Sequence, residues 1–324
     1  MSVSVIIPAF NAQETIERSV LSVLNQTRPP VEVIVVDDAS SDRTRDVVRQ
    51  LAASHPTVKL IENAVNRGPS GSRNTGFKAA IGEWLAIHDA DDTWRENRLE
   101  KMLDAAAQYD ANIVTDNMLL YDLGSDVVTR TGFSTDHGVR WIKPIDVFEQ
   151  DVQLGAEFGY GLLQPMMKRS FLEENKLAYI EDVRYGEDLI FLSEMMFSGA
   201  KAIIIPDPLY VYTTRIGELS GQYSPHSKSV PRFDLISDGI DGLKLKYPQA
   251  ITPDIDRAMT RLARRYRLVH RANLAKDVRL KKGLPAYALF VVQRPSVIVY
   301  VLRAWLRRWR SRAKLKPSAL PEES

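Results

Sequence analysis

Short apolar runs alternate with segments of helical periodicity along the first part of the chain. Four runs rich in Val, Ile and Leu predict buried strands at 3–7, 31–36, 58–61 and 84–87. The first intervening segment, 12–25, repeats apolar residues at helical spacing, and helices are predicted there and at 42–53 and 70–80. Continuous apolar strands separated by helices are typical of a parallel sheet covered on both faces. The pattern therefore predicts an α/β fold with a doubly wound, mostly parallel sheet, in which ligands bind beyond the carboxyl ends of the strands.

Beyond residue 92 the pattern is less regular, and it does not order the elements of 117–165. Helices are predicted at 96–108 and 185–197, and strands at 112–115, 202–205 and 209–213. Further along, Ile255, Met259 and Leu262 follow helical spacing while arginines occupy the other faces. We place a boundary near residue 220, between a domain at 1–220 and a helical, basic, amphipathic extension at 221–324.

The chain has 324 residues, no cysteine and a formal net charge of +2. Its apolar content is sufficient for a large core and excludes a disordered chain. Without cysteine, a metal site must use carboxylates or the five histidines. The net charge averages two unlike regions, because residues 1–253 carry 25 Lys and Arg against 36 Asp and Glu, whereas residues 254–316 carry 18 against 3. An acidic body with a basic extension points to contact with an anionic surface.

No window holds 18 uninterrupted apolar residues, and Gln293, Arg294 and Pro295 divide the most apolar one, 284–302, into two short runs. Neither run is long enough to cross a hydrocarbon layer of roughly 30 Å. The first apolar run ends at Pro8 without a preceding basic segment, which indicates a buried strand rather than a signal peptide. We therefore expect the main body of the chain in the cytoplasm.

Polar residues cluster where each of the early strands ends. The candidate site residues are Asn11 with the neighbouring Pro8 after the first strand, Asp37 and Asp38 after the second, Arg73 after the third, and Asp89 and Asp91 after the fourth. Because parallel strands end at one edge of the sheet, we expect these residues to converge. Asp89 and Asp91 can share Mg²⁺ or Mn²⁺ with the oxygens of a bound diphosphate, and such an ion would neutralise a departing diphosphate. A lone Asp-x-Asp is also common in acidic loops, so its position after a buried run is what favours function.

The other strand-end residues have structural alternatives. Asp42 or a neighbouring serine can cap the following helix, but a cap does not explain two acids, Asp37 and Asp38, at the end of an apolar strand. A carboxylate there suits a base imide or a ribose hydroxyl. A surface charge would also explain Arg73, but arginine is the usual forked partner of a phosphate or a sugar. The segment RGPSGSRNTG lacks G-x-G-x-x-G, and the chain has no Walker lysine motif, which weakens dinucleotide and P-loop interpretations.

A second acidic pair, Glu187 and Asp188, follows Gly186 at the start of a predicted helix. Acidic residues at a helix N-terminus are stabilising by about 0.3–1 kcal/mol, and for the pair alone this explanation is favoured. If the segment folds over the edge of the sheet, one carboxylate can act as general base toward a hydroxyl.

Five segments carry motifs that belong together: VSVIIPAFNAQETIERSVLSVLNQT, VIVVDDASSDRT, NRGPSGSRNTG, DADDTW and GED. Together they resemble the inverting, family-2 type of glycosyltransferase with a GT-A fold, over roughly residues 1–215. Within that family the chain is similar to bacterial enzymes of exopolysaccharide, lipopolysaccharide or capsule synthesis, including succinoglycan-type glucosyltransferases. Ser72 replaces the usual Ala of the nucleotide loop. No Q-x-x-R-W segment follows Asp188 and no transmembrane bundle follows the catalytic part, so the resemblance implies a non-processive enzyme.

The resemblance also implies a role for each matching position. Pro8 and Asn11 would lie beside the nucleotide, Asp38 with Asp37 would bind the base, and Arg73 would hold the nucleotide. Asp89 would contact ribose or metal, and Asp91 would be the main ligand of Mn²⁺ or Mg²⁺. Asp188 would be the general base, and Glu187 would orient the acceptor or donor. The donor would be a nucleoside-diphosphate sugar, with a UDP-hexose favoured. The acceptor would be a hydroxyl of a carbohydrate or polyprenyl-linked oligosaccharide, and one in-line displacement would invert the anomeric carbon.

A membrane-bound acceptor would give the basic extension a purpose, because each Lys or Arg near an anionic bilayer adds about 1 kcal/mol of attraction. Trp305 and Trp309 among arginines suit a segment that lies in the interface. We therefore expect a peripheral protein at the inner face of the plasma membrane. A dimer-forming helix is the alternative, and nucleic acid is not an expected partner because no recognised motif accompanies the charge.

Two other functions are compatible with the sequence. A nucleotidyltransferase shares strand-end carboxylates, but it would need a glycine-rich basic loop where this chain has Phe10-Asn11-Ala12-Gln13. A non-catalytic carbohydrate- or membrane-binding module is also possible on this fold, and the intact acids Asp89, Asp91 and Asp188 argue against it.

Overall fold

A mixed sheet lies at the centre of the computed structural model, which describes residues 1–122, 124–133, 138–150, 159–160, 163–183, 185–214, 232–293 and 298. The strands among these residues are β1 (Val3–Ala9), β2 (Glu32–Asp37), β3 (Val58–Glu62), β4 (Trp84–Ile87), β5 (Thr93–Trp94), β6 (Ile113–Asp122), β7 (Val127–Thr131), β8 (Arg140–Trp141), β9 (Met166–Lys168) and β10 (Ala202–Thr214). The helices are α1 (Ile16–Leu24), α2 (Thr44–Ser54), α3 (Gly68–Ala79), α4 (Arg98–Tyr109), α5 (Pro144–Gln150), α6 (Arg169–Glu174), α7 (Glu187–Phe197), α8 (Phe233–Lys246) and α9 (Pro253–Val292).

The central part of the sheet consists of two parallel groups joined by an antiparallel strand, and β5, β7 and β8 pair antiparallel with β10, β6 and β10. The strand order is β3-β2-β1-β4-β9-β6-β10-β5, with β7 beside β6 and β8 beside β10. Strands β1 to β4 form one parallel group, and β6 runs parallel to β10. Strand β9 is antiparallel to both β4 and β6 and connects the two groups. The predicted α/β fold is confirmed, and the early strands and helices lie where the sequence pattern predicts them.

Two strands are longer than the sequence pattern predicts. The strands expected at 202–205 and 209–213 are one strand, β10, because pairing with β6 continues on both sides of register shifts around Pro208. Strand β6 extends to Asp122 although it carries the polar residues Thr115, Asp116 and Asn117. These side chains are buried, and Asp116 and Asn117 are hydrogen-bonded within the core, so their polarity does not end the strand.

Helices α8 and α9 pack on the same hydrophobic core as the sheet. Ile236 and Ile240 of α8 and Met259 of α9 are fully buried, and they belong to the apolar cluster that includes the central strands. Helix α9 is interrupted at Gly283, whose φ of 80° lies in the left-handed region. The predicted boundary near residue 220 lies outside the described residues. Within the part of the chain that the structure describes, no helix is both long and apolar enough to span a membrane.

Candidate active site

Asp38 anchors the N-terminus of α3 at the carboxyl edge of the sheet. Its Oδ1 accepts hydrogen bonds from the Arg67 main-chain N–H at 2.8 Å and from Asn63 Nδ2 at 2.9 Å, and its Oδ2 accepts one from the Gly68 N–H at 2.8 Å. Carboxylates satisfy free amides and suit the dipole at a helix N-terminus. The residue predicted to bind the base therefore also fixes the start of α3.

The ends of β1 and β2 form a hydrogen-bonded loop pair around Asn11. Asn11 has a φ of 50° and accepts a hydrogen bond on Oδ1 from the Ser41 N–H at 2.9 Å. Asp37 is fully buried at the end of β2; its Oδ2 accepts from the Ser40 N–H at 3.1 Å, whereas its Oδ1 has no hydrogen-bond partner among the described residues. Pro8, half-buried in β1, lies opposite Val36. These predicted nucleotide-side residues thus lie at adjacent strand ends.

Two glycines allow the helices that carry the charged site residues to approach the core. At Gly76 of α3, a Cβ atom would lie 2.4 Å from the Ile6 side chain, so only glycine lets α3 pack this closely on β1. Gly186 precedes α7 with a φ of 73°, and a Cβ there would lie 2.6 Å from Ile236 Cδ1. Helix α3 carries Arg73 into the site, and α7 begins with Glu187 and Asp188.

Arg73 connects Asp89, which follows β4, with the two acids at the start of α7. Its Nη1 donates to Glu187 Oε1 at 2.9 Å and to Asp188 Oδ1 at 3.0 Å, and its Nη2 donates to Asp89 Oδ1 at 3.2 Å. The Arg73 side chain is only 4% exposed. A buried guanidinium between three carboxylates offsets their mutual repulsion. The structure therefore brings together four predicted site residues, with Arg73 bound to acids rather than free at the nucleotide loop.

Asp188 has the character of a base that operates near neutral pH. Burial raises the pKa of Asp188 to about 7; the Arg73 guanidinium opposes this shift, and the carboxylates of Glu187 and Asp89 add to it. The Asp188 side chain keeps 17% of its surface exposed, so a ligand can contact the carboxylate. A carboxylate in this range can accept a proton from a hydroxyl and release it again to solvent.

Asp89 and Asp91 provide hard oxygen atoms for a divalent cation. Both Asp89 oxygens accept hydrogen bonds, Oδ1 from Arg73 and Oδ2 from Gln164 Nε2 at 2.7 Å, while Asp91 is half-buried next to it. No cluster of three or more Asp, Glu or His that could hold a metal occurs in the described ranges. A cation here would take one or two carboxylates and complete its coordination with diphosphate oxygens, which is the arrangement that Mg²⁺ and Mn²⁺ favour. The donor set therefore fits such an ion.

Sequence reasoning missed several polar residues that support the acids. Gln164 holds Asp89, Tyr179 donates its hydroxyl to Asp188 Oδ1 at 2.8 Å, and Tyr210 donates to Asp92 Oδ2 at 2.7 Å. Burial, with the nearby Asp91 and Asp89 charges, raises the pKa of Asp92 well above its ordinary value. Only Asp92 had a sequence signal, as the third acid of the DADD segment. Gln164 lies in the part of the chain whose elements the pattern does not order.

Residues 4–175 match the family model described as Glycosyl transferase family 2. The chain is 37% identical to the succinoglycan biosynthesis protein ExoO of Rhizobium meliloti over 225 residues, which are 67% of this chain and 62% of ExoO. It is 44% identical over 101 residues to the Escherichia coli UDP-Glc:alpha-D-GlcNAc-diphosphoundecaprenol beta-1,3-glucosyltransferase WfgD, covering 31% of this chain and 39% of WfgD. The chain thus spans less than two thirds of the length of these relatives.

Two solved structures share the fold. TarS 1-349 of S. aureus in complex with UDP-GlcNAc superimposes with a TM-score of 0.61 and 19% identity, over 92% of this chain and 88% of that one. The mannosyltransferase PcManGT from Pyrobaculum calidifontis, in complex with GDP-Man and Mn²⁺, gives a TM-score of 0.57 and 23% identity, over 94% and 82%. The predicted GT-A architecture is confirmed by this likeness.

Proposed function

Because this chain belongs to glycosyl transferase family 2, we propose that it transfers a hexose from a nucleoside-diphosphate sugar to a hydroxyl of a carbohydrate acceptor, with inversion and without processivity, in surface polysaccharide biosynthesis. The main support for this function is the arrangement of charged side chains around Arg73. The buried guanidinium of Arg73 holds two acids in one cluster: Asp89 of the Asp-x-Asp motif, and Asp188, whose pKa is about 7. Donor and acceptor chemistry can therefore meet at this cluster.

Asp188 is the base in the proposed reaction. Its carboxylate takes the proton of the acceptor hydroxyl, and the acceptor oxygen forms a bond to the anomeric carbon of the donor sugar. The bond between that carbon and the diphosphate oxygen breaks on the opposite face, and the nucleoside diphosphate leaves with the electron pair. Glu187, held by the same Arg73 nitrogen, orients a sugar hydroxyl beside the base.

The donor would bind across the strand ends. Pro8, Asn11, Asp37 and Asp38 would lie on the nucleotide side, and Asp91 with Asp89 would hold Mn²⁺ or Mg²⁺, which when bound neutralises charge on the diphosphate. A UDP-sugar is the favoured donor because the name of WfgD specifies UDP-Glc and the structure of TarS holds UDP-GlcNAc. A polyprenyl-linked oligosaccharide is the proposed acceptor because the name of WfgD specifies a diphosphoundecaprenol substrate.

The donor side can be tested with a panel of nucleotide sugars. We expect UDP-sugars to raise the melting temperature in the presence of Mn²⁺, and Asp91→Ala to lose this shift and the transfer activity while its unliganded melting temperature stays unchanged. Asp110→Ala, which removes an exposed acid paired with Lys201, is the matched control. Full turnover by Asp91→Ala would contradict the metal role, and a product that retains the donor's anomeric configuration would contradict inversion.

We also propose that α9 attaches the protein to an anionic membrane surface, where a lipid-linked acceptor would be found. At 100° per residue, Arg257, Arg264, Arg271 and Lys282 share one face of the helix. Arg264, Arg271 and Lys282 are exposed and form no ion pair with other described residues. Beyond Gly283, Leu284, Leu289 and Val292 are 64%, 61% and 73% exposed. A basic face followed by exposed apolar side chains suits a bilayer interface.

Vesicle binding tests this attachment. Replacement of Arg264, Arg271 and Lys282 by Glu is expected to abolish co-sedimentation with vesicles containing phosphatidylglycerol, whereas the same change at Lys78, Lys168 and Lys176, exposed basic residues outside α9, is expected to leave binding intact. Equal binding of all proteins would contradict the proposal. A shift from dimer to monomer in the α9 variant, without loss of vesicle binding, would assign this face to a second copy of the chain.

A further inference from the structure

Tyr179 forms a hydrogen bond to the candidate base from a fully packed position. Its hydroxyl donates to Asp188 Oδ1 at 2.8 Å. Its ring is buried and stacks on Phe191 with the centroids 4.1 Å apart, and a second ring, Phe77, lies at 5.9 Å. This packing holds the Tyr179 ring in place, so its hydroxyl has little freedom to move away from Asp188.

Helix α3 fixes the main chain of Tyr179 as well. Asn74 Nδ2 donates to the Tyr179 carbonyl at 2.9 Å, and the Tyr179 N–H donates to Asn74 Oδ1 at 2.9 Å. The neighbouring Arg73 places its guanidinium 5.1 Å from the centre of the Tyr179 ring. Consecutive residues of α3 thus hold Asp188 directly, through Arg73, and indirectly, through Asn74 and Tyr179.

These contacts distinguish the two oxygens of Asp188. Oδ1 accepts from both Arg73 Nη1 and the Tyr179 hydroxyl, whereas Oδ2 receives no hydrogen bond from the described part of the chain. An oxygen that already accepts two hydrogen bonds has less capacity to take a proton. Burial and the Asp188 charge raise the pKa of Tyr179 well above its ordinary value, so its hydroxyl stays protonated and continues to donate.

We propose that Tyr179 is a positioning residue that occupies Asp188 Oδ1 and so directs the acceptor hydroxyl to Oδ2. The proposal rests on the role of Asp188 as base. A hydrogen bond to the ionised carboxylate also favours the charged form of Asp188. Loss of the Tyr179 hydroxyl should therefore make the base titrate at higher pH and take up the proton through either oxygen.

The pH dependence of transfer tests this role. Tyr179→Phe keeps the ring and removes the hydroxyl, so we expect the acidic limb of the kcat profile to move upward by about one pH unit. The rate at low pH should fall about tenfold and recover toward the wild-type rate at high pH, with the KM for the nucleotide sugar unchanged. Tyr247→Phe, which removes a hydroxyl that accepts a hydrogen bond from Ser198 at 3.4 Å, is the matched control and should keep the wild-type profile.

A second variant covers the case in which Tyr179→Phe folds poorly. Substitution of Tyr179 by 3-fluorotyrosine preserves size and makes the hydroxyl a stronger donor, so the acidic limb should move to lower pH. An unmoved limb in both variants would overturn the proposal and leave Tyr179 with a packing role, seen as a lowered melting temperature alone. A different result would show that Asp188 is not the base. In that case Asp188→Asn would retain activity, and the pH profile of the wild-type enzyme would have no acidic limb.

Discussion

Arg73 and Asp188 form a buried ion pair in which Nη1 of the guanidinium lies 3.0 Å from the carboxylate Oδ1. The other terminal nitrogen of Arg73 reaches Asp89. One side chain thus fixes the distance between the residue proposed to contact the donor and the residue proposed to activate the acceptor. The relative position of these two acids depends on α3, which lies between β4 and α7 in this network.

Arg73→Lys is expected to reduce kcat by more than a hundredfold and to lower the free energy of unfolding by about 3 kcal/mol. Lysine keeps the positive charge, but a single ammonium cannot reach Asp89 and Asp188 in the forked geometry of the guanidinium. Steady-state rates and urea unfolding measure the two effects. Arg49→Lys, in an exposed pair with Glu62, is the control and should change neither quantity appreciably. Wild-type kcat in Arg73→Lys would show that the link has no catalytic consequence.

Transfer should depend on an ionisation at about pH 7. Asp188 must be deprotonated to accept a proton, and its pKa is raised by burial to about 7. We expect kcat/KM to rise about tenfold per pH unit below pH 7 and to level off above it. Initial rates at saturating cation measure the profile, and a rate independent of pH across this range would argue against Asp188.

The same ionisation affects stability with a defined sign. Between the ordinary value of 3.8 and about 7, folded Asp188 holds a proton that the unfolded chain has lost. The contribution of Asp188 to the free energy of unfolding should therefore fall as pH rises through this window, and Asp188→Asn should remove that dependence. Urea unfolding of both proteins across the window measures the difference, which would be absent if the pKa of Asp188 were ordinary.

Gln164→Leu is expected to raise the KM for the donor about fivefold, with a smaller effect on kcat. The change removes the 2.7 Å hydrogen bond to Asp89 Oδ2, and such a bond is worth about 1 kcal/mol. The main-chain carbonyl of residue 164, which accepts a hydrogen bond from Arg98 Nη2 at 2.6 Å, is unaffected by the substitution, so the fold should survive. Titration of the donor with Mn²⁺ measures the effect, and Gln108→Leu at an exposed site is the control. An unchanged KM would mean that Arg73 alone holds Asp89.

Asp38→Ala is expected to lower the free energy of unfolding by about 2 kcal/mol, because two main-chain amides at the start of α3 lose their acceptor. Urea unfolding measures this cost, and Asp46→Ala, an exposed acid of α2, should cost far less. An Asp38→Ala protein of wild-type stability that no longer bound nucleotide would show that Asp38 serves the ligand and not the helix.

The sequence predicted the parts of the site whose signals are local. Asp37, Asp38, Asp89 and Asp91 follow apolar strands, and the chain direction of a parallel sheet brings such strand ends together. The GED motif predicts a role for Asp188, although an isolated acid at a helix start is better explained by the helix itself. Gln164 and Tyr179 carried no signal, because a single glutamine or tyrosine has no spacing that distinguishes a functional side chain from an ordinary core residue.

The sequence by itself determined the alternation of strands and helices, the acidic body with its basic extension, and the acids at the strand ends, since all of these follow from short-range patterns of polarity. Only the tertiary structure decided that Arg73 binds acids instead of standing free, because its partner Asp188 is 115 positions away. That contact depends on close packing at Gly76 and on the left-handed conformation of Gly186, which together bring α3 and the start of α7 close to each other. The near-neutral pKa of Asp188 has the same origin, because burial and neighbouring charges exist only in the folded chain.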